Sequence, residues 1–145
     1  MLSILPKRAT GVVPAISPMA RKVFDTELGK IFIYDNLVIM EGKPNVVMTI
    51  KTGMSILIDV AKAVGIRPVV YISNRINSYS VDPNDYKYLE MIPHLKGIGI
   101  VTYNDRACEI AKLEEHFFSK PFKVFRNLDD AKAWADYVVK GRIIV

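Results

Sequence analysis

The sequence is poor in the residues that form disulfides, metal sites and histidine-dependent active sites. Among its 145 residues it has one cysteine, Cys108, and two histidines, His94 and His116. A single cysteine excludes an internal disulfide framework and is typical of a reducing compartment. His116 follows two glutamates on a predicted helix, and consecutive helical side chains point in different directions instead of converging on a metal. We therefore predict no metal site, and we interpret Cys108 as a small buried side chain rather than a nucleophile.

Long apolar runs are also missing. The longest, such as IGIV and ILIDVA, are far shorter than the roughly 18 residues that a membrane span requires. The first residues, MLSILPKR, lack the order of charge, apolar core and cleavage site that defines a signal peptide. These absences predict a cytoplasmic protein without a transmembrane segment.

A glycine-rich phosphate loop is absent as well, because Gly97 and Gly99 lie within a predicted strand rather than after it. The acidic residues fall mostly at predicted helix caps or on solvent-facing positions, so no pair of carboxylates is placed for acid–base chemistry. We predict no cofactor and no catalytic residue, and hence a protein that is not an enzyme.

The net charge of +5 lies mostly at the N-terminus. Four basic residues precede the first acidic residue, Asp25, namely Lys7, Arg8, Arg21 and Lys22. The rest of the chain is nearly neutral, and no basic stripe accompanies the tyrosines, so nucleic-acid binding is not predicted. Because the N-terminal region also contains three prolines and no periodicity, we predict a flexible basic arm over residues 1–22 and one domain over residues 23–145.

The pattern of this domain predicts an α/β fold, in which a mixed sheet starts with an N-terminal hairpin and continues with repeated parallel βα units. The runs KIFIYD and NLVIME form the hairpin, with a tight turn between them. A short edge strand over residues 46–48 precedes a helix that Thr49 or Thr52 caps and that ends at Gly65. Three strands, RPVVYIS, GIGIVTY and FKVFR, are each followed by a helix, over residues 83–90, 105–118 and 128–139, and Asn127 is predicted to cap the last of these.

The apolar residues of the helices predict which side faces the sheet. In the helix that ends near residue 64, the predicted inward stripe consists of Met54, Leu57, Ile58, Ala61 and Val64, and three more apolar residues widen it: Ile56, Val60 and Ala63. Such a width predicts cover beyond the sheet, from the arm, from a second subunit in a homodimer or from a bound apolar ligand. In the helix over residues 105–118, the predicted inward residues are Ala107, Ile110, Leu113 and Phe117.

Polar loops follow two of the parallel strands, at the edge of the sheet where ligands bind in such folds. The first loop carries Ser73, Asn74, Arg75, Asn77, Ser78, Tyr79 and Ser80, and the second carries Asn104 and Arg106. If the strands are neighbours, Arg75, Arg106 and Arg126 share one rim, which suits an anion. Asparagines also cap helices and arginines also cover loops, so a purely structural role for these residues stays open.

Two segments, YISNRINSYSVDP and KPFKVFRNLDDAKAWA, resemble a family of short bacterial proteins related to the SpoIIAA-like, or STAS, domains. They are similar to uncharacterised STAS/SEC14-type proteins, in which the pattern Y-I-[ST]-x-R-x-N-S-Y-x-V-D-P precedes K-P-F-x-V-F-x-x-L-D-[ED]-A-x-x-W. The resemblance covers residues 28–138 and implies a SpoIIAA-like fold. It also implies a non-enzymatic switch that binds other proteins, often through phosphorylation of a serine at a helix start. Here Ser73 matches that serine by position only, because the acid and the glycine of the family's D-S-S-G-like turn are absent.

Two functions follow from the residues and the resemblance together. The first is a STAS-like regulatory or protein-binding module, switched by phosphate on Ser73, Ser78 or Ser80, which would pair with Arg75. The alternative is a carrier of a small apolar ligand or lipid, with a SEC14-like pocket between sheet and helices. The aromatic residues of the C-terminal third are predicted to form core, or else to line that pocket: Phe117, Phe118, Phe122, Phe125 and Trp134.

Overall fold

The computed structural model of the chain describes residues 20–141, so most of the predicted arm lies outside the described residues. The strands are β1 (Lys22–Asp25), β2 (Gly29–Ile33), β3 (Leu37–Gly42), β4 (Val47–Met48), β5 (Val69–Asn74), β6 (Ser80–Val81), β7 (Leu95–Val101) and β8 (Phe122–Phe125). The α-helices are α1 (Ile50–Val64), α2 (Tyr86–Glu90), α3 (Asp105–Glu114) and α4 (Leu128–Val139). Short 3₁₀ turns, Pro83–Asp85 and Glu115–Phe117, precede α2 and follow α3.

Six strands form one sheet in the order β1-β2-β3-β5-β7-β8. β1, β2 and β3 are antiparallel neighbours, whereas β3, β5, β7 and β8 run parallel to one another. The carboxyl ends of the four parallel strands therefore lie along one edge of the sheet, and we call this edge the carboxyl edge. The predicted mixed sheet, with its N-terminal hairpin and its parallel βα units, is confirmed.

Two short strands differ from the prediction. β1 begins at Lys22, inside the predicted arm, and pairs with β2 from Lys22 beside Ile33 to Asp25 beside Lys30. The short strand predicted over residues 46–48 is present as β4, but it pairs with β6 in a separate two-stranded sheet instead of forming an edge of the main sheet. Strands of two to four residues carry no readable alternation, and a partner far along the chain leaves no local signal.

The helices lie on both faces of the main sheet. α4 packs on one face, where Ala131, Ala135 and Val138 are buried, and α1, α2 and α3 cover the other face. Asn127 caps α4 as predicted, since its side-chain oxygen accepts from the Asp130 amide at 2.8 Å. Among the described helices, none is long and apolar enough to cross a membrane.

The predicted inward face of α3 was wrong. Cys108, Ala111 and Glu114 are buried, whereas the predicted inward residues Ile110 and Leu113 are 51% and 63% exposed. Two observations account for this rotation. The small side chains of Cys108 and Ala111 are buried, and the carboxylate of Glu114 finds buried hydrogen-bond donors in Arg75 and Tyr86.

α1 begins and ends where the sequence predicts, but the stripe of residues that it turns towards the core differs from the prediction. Thr49 and Thr52 together form a capping box, in which each side chain accepts a hydrogen bond from the backbone amide of the other. The helix ends at Gly65, whose φ of 68° is a positive value that glycine adopts at low cost. The residues packed towards the core are Ile56, Val60, Ala63 and Val64, while Met54 and Ile58 are nearly half exposed.

Candidate functional site

A cavity of about 280 Å³ lies beneath α1, between this helix, the central strands and α2. Apolar side chains form most of its wall, including Ile31, Val38, Met40, Leu57, Val60 and Leu89. Among the described residues that line the cavity, two are exposed at the surface: Ala61 and Gly65. Both lie at the C-terminal end of α1. The cavity between sheet and helix is therefore mostly apolar, and it is accessible at the C-terminal end of α1.

Two observations show that α1 stands away from the sheet. Of its 15 residues, only Val64 is buried, although an amphipathic helix on a sheet normally buries a whole stripe. Tyr71, in the middle of β5 with strands on both sides, is only partly buried. Because Tyr71 lines the cavity, its accessible surface faces that space. α1 acts as the wall of a cavity rather than as a closely packed layer.

The cavity is polar at the carboxyl edge, where Ser73, Arg75 and Tyr79 line it. The hydroxyl oxygens of Ser73 and Tyr79 are 2.6 Å apart, and Arg75 Nε donates to Ser73 Oγ at 3.1 Å. Tyr79 reaches this position because its ring packs on the end of β3 at Gly42, where a Cβ would lie 2.6 Å from the ring. Ser73 itself is 3% exposed, so this polar end is also deep.

Arg75 is neutralised by a buried partner, Glu114 of α3. Two hydrogen bonds of 2.7 and 2.8 Å join the guanidinium to both carboxylate oxygens, and the Tyr86 hydroxyl donates to the same carboxylate at 2.5 Å. The side chains of Arg75 and Glu114 are only 13% and 9% exposed. A bidentate, buried pair of this kind leaves no free positive charge at the polar end of the cavity.

The pKa values of the surrounding groups agree with this geometry. Burial lowers the pKa of Arg75, but the hydrogen bonds and negative charge of Glu114 outweigh it, so this pKa lies above its usual value. Burial raises the pKa of Tyr71 and, together with the charge of Glu114, that of Tyr86. Arg75 stays protonated at neutral pH, and both phenols stay neutral.

Asn74 does not join Ser73 and Arg75, because successive residues of a strand point to opposite faces of the sheet. Its amide nitrogen donates to Glu41 Oε2 at 3.0 Å, and its side-chain oxygen accepts from the Tyr103 hydroxyl. Burial, followed by the charge of Glu41, raises the pKa of Tyr103. These three side chains form a structural network on the face that carries α4.

The remaining residues of the first predicted loop fasten it to the end of β3 and the turn that follows. Asn77 Nδ2 donates to the carbonyl of Gly42 at 3.0 Å, and the carbonyl of Ser78 accepts from the Asn45 amide at 2.8 Å. Ser78 and Ser80 are exposed, and Ser80 belongs to β6, which pairs with β4. These three residues hold the loop in place without lining the cavity.

The second predicted loop does not contribute to the cavity. Asn104 caps α3 by accepting from the Ala107 amide at 2.8 Å, and Arg106 is exposed. Arg126 forms an ion pair with Asp105, at 3.0 Å. Since Arg75 turns inwards to Glu114, the predicted rim of three arginines is not assembled.

Glu114 was not predicted as a partner of the site, and of the two roles predicted for the aromatic residues of the C-terminal third, the core role agrees with the structure. Phe118 and Phe122 pack around Tyr86, and Phe125 packs on Trp134, so these rings fill the core instead of lining the cavity. The only sequence signal for Glu114 was an acid at a position that shares a helical face with Cys108 and Ala111. Among the described residues, no group of histidine, cysteine, aspartate or glutamate side chains is placed to hold a metal.

Comparison with known proteins bears on the fold. No family model matches the sequence, and no curated protein matches it significantly. A solved structure is similar, that of an uncharacterised DUF3478-family protein from Shewanella loihica PV-4, which is described as having a SpoIIAA-like fold. The TM-score is 0.51 at 11% identity, over 79% of this chain and 90% of that chain. This likeness confirms the architecture that the sequence resemblance predicted: the chain has a SpoIIAA-like α/β fold.

Proposed function

We propose that this protein is a non-enzymatic binding module that holds one small apolar ligand in the cavity beneath α1. The observation that carries the proposal is the gap between α1 and the sheet. It is lined by apolar side chains and lies near the lower end of the size range of small-molecule sites. A ligand there would cover the apolar side of α1 that packing on the sheet leaves partly exposed.

The regulatory interpretation, with a phosphorylated serine, is the second candidate. Ser73 is buried and its hydroxyl is bonded to Tyr79 and Arg75, so a kinase would reach it only after the loop opened. Ser78 and Ser80 are exposed and are the better acceptors. We place ligand binding first because a formed cavity supports it, whereas an exposed serine is common on any protein surface.

A mass spectrum of the full-length protein from its native host, recorded under native and then denaturing conditions, separates the two candidates. Bound ligand adds mass that is lost on denaturation, and phosphate adds mass that survives it. The proposal expects the first result.

A fluorescence titration with a neutral apolar dye, such as N-phenyl-1-naphthylamine, tests whether the ligand binds in the cavity beneath α1. Val60→Phe places a ring in the cavity, and the control Ile58→Phe places the same ring on the exposed side of the same helix. We expect Val60→Phe to weaken dye binding at least about tenfold, equivalent to about 1.4 kcal/mol, and Ile58→Phe to leave it unchanged. Equal binding by the two variants would contradict the proposal.

A further inference from the structure

The two ends of the cavity differ in chemistry. Val69 and Leu95 lie at the end where β5 and β7 begin, and Ser73, Arg75 and Tyr79 lie at the carboxyl edge. The exposed lining residues, Ala61 and Gly65, lie at the same end as Val69 and Leu95, because α1 runs from the carboxyl edge to the opposite edge. His94 also lines the cavity at that end. A ligand that fills this space therefore meets one imidazole near the opening and a group of hydroxyls at the deep end.

The charges at the deep end do not favour an anion. Arg75 is the cationic side chain there, and Glu114 occupies it through two hydrogen bonds. Asp82 and Asp85 also line the cavity, and Asp85 accepts from the amide of Ile50 at the start of α1, at 2.8 Å. A carboxylate or phosphate would have to lose its water next to these carboxylates without gaining a free cation.

The hydroxyl groups at the same end do favour a neutral polar group. Ser73 and Tyr79 have two hydroxyl hydrogens, of which their mutual hydrogen bond uses one, and the Tyr71 hydroxyl also interacts with Ser73. Tyr71 donates to the sulfur of Met40 at 3.6 Å, which is a weak acceptor. An uncharged oxygen of a ligand would be a stronger acceptor for these hydrogens than sulfur is.

Resting on the proposed function, we infer that the ligand is a single apolar chain or small apolar ring system with one uncharged oxygen, an alcohol or a carbonyl, held by Ser73, Tyr79 and Tyr71. A fatty acid in its ionised form is disfavoured, although an arginine lines the cavity. The size of the cavity, about 280 Å³, also favours one chain over the two chains of a phospholipid.

The test is displacement of the neutral dye from the full-length protein by decanol and by decanoate, which share a chain length and differ in the charge of the head. We expect decanol to displace the dye at a concentration at least about tenfold lower than decanoate. Equal or better displacement by decanoate, with dye binding still sensitive to Val60→Phe, would overturn this inference and leave the proposed function standing. No dye binding by the folded wild-type protein would overturn both.

Two variants test the assigned contacts. Tyr79→Phe removes one hydroxyl and is expected to weaken decanol binding about fivefold while changing decanoate binding little. Glu114→Gln frees the charge of Arg75. It is expected to strengthen decanoate binding while changing the affinity for decanol by less than about twofold. If Glu114→Gln does not fold, Tyr79→Phe still decides, because unchanged decanol affinity in that variant would contradict the assigned contacts.

Discussion

The two faces of the sheet are covered in different ways. On the α4 face, two glycines of β7 let the helix approach closely, since a Cβ on Gly97 would lie 3.3 Å from Val138 Cγ1 and one on Gly99 would lie 3.4 Å from Trp134. On the opposite face, α1 buries one residue and a cavity separates it from the strands. Native cores are close-packed, so a face that leaves such a gap is more informative about function than one that fills it.

The deep end of the cavity is held by polar groups rather than by apolar packing. Arg75, Glu114 and Tyr86 connect β5, α3 and α2 through buried hydrogen bonds. This network keeps three elements of the α1 face in place where close packing is interrupted. The two faces thus differ both in density and in the kind of interaction that maintains them.

The largest effect is expected from breaking this network. Glu114→Ala leaves Arg75 buried without its partner, and we expect the free energy of unfolding to fall by about 3–5 kcal/mol. Urea denaturation followed by circular dichroism measures it. The matched control is Glu109→Ala on the same helix, where the glutamate is 77% exposed and pairs loosely with Lys112, and this variant should cost at most about 1 kcal/mol. Similar losses in the two variants would show that the buried pair has no special role.

An intermediate effect is expected from adding volume to the close-packed face. Ala135 lies on the buried side of α4 and is 3% exposed. Ala135→Leu should therefore lower the free energy of unfolding by about 1–3 kcal/mol through overpacking. Ala133→Leu, at an exposed position of the same helix, is the control and should change it by less than about 0.5 kcal/mol. A tolerated Ala135→Leu would mean that the α4 face is also loosely packed.

The smallest effect is expected from adding volume to the face that contains the cavity. The extra ring of Val60→Phe enters the cavity, so the free energy of unfolding should change by less than about 1 kcal/mol in either direction, even though dye binding weakens. The same urea titration measures it. A loss as large as that of Ala135→Leu would remove the contrast between the two faces.

The strand and helix order was predictable because each long element carries its own local signal. The capping residue Asn127, the glycine after α1 and the hairpin between β2 and β3 all occur where the sequence predicts them. The predictions that were wrong concern which face of a helix turns towards the core. α1 and α3 each have apolar residues on more than one side, so periodicity alone does not choose the inward side.

The candidate site was predicted in part. The segment over residues 73–80 does form the polar end of a cavity, through Ser73, Arg75 and Tyr79. Asn74 lies on the other face, and Asn104 and Arg106 lie outside. The predicted pairing of Arg75 with an anion did not anticipate Glu114, because that contact joins residues 39 positions apart and has no local signature.

The α/β class, the element order and the start of each long helix follow from the sequence alone, because these depend on neighbours within a few positions along the chain. The tertiary structure decided which face of each helix turns inwards, how closely it approaches the sheet, and which charge meets Arg75. Those outcomes depend on side chains that are distant in sequence, whose volumes and hydrogen-bonding groups combine only when the strands and helices pack together.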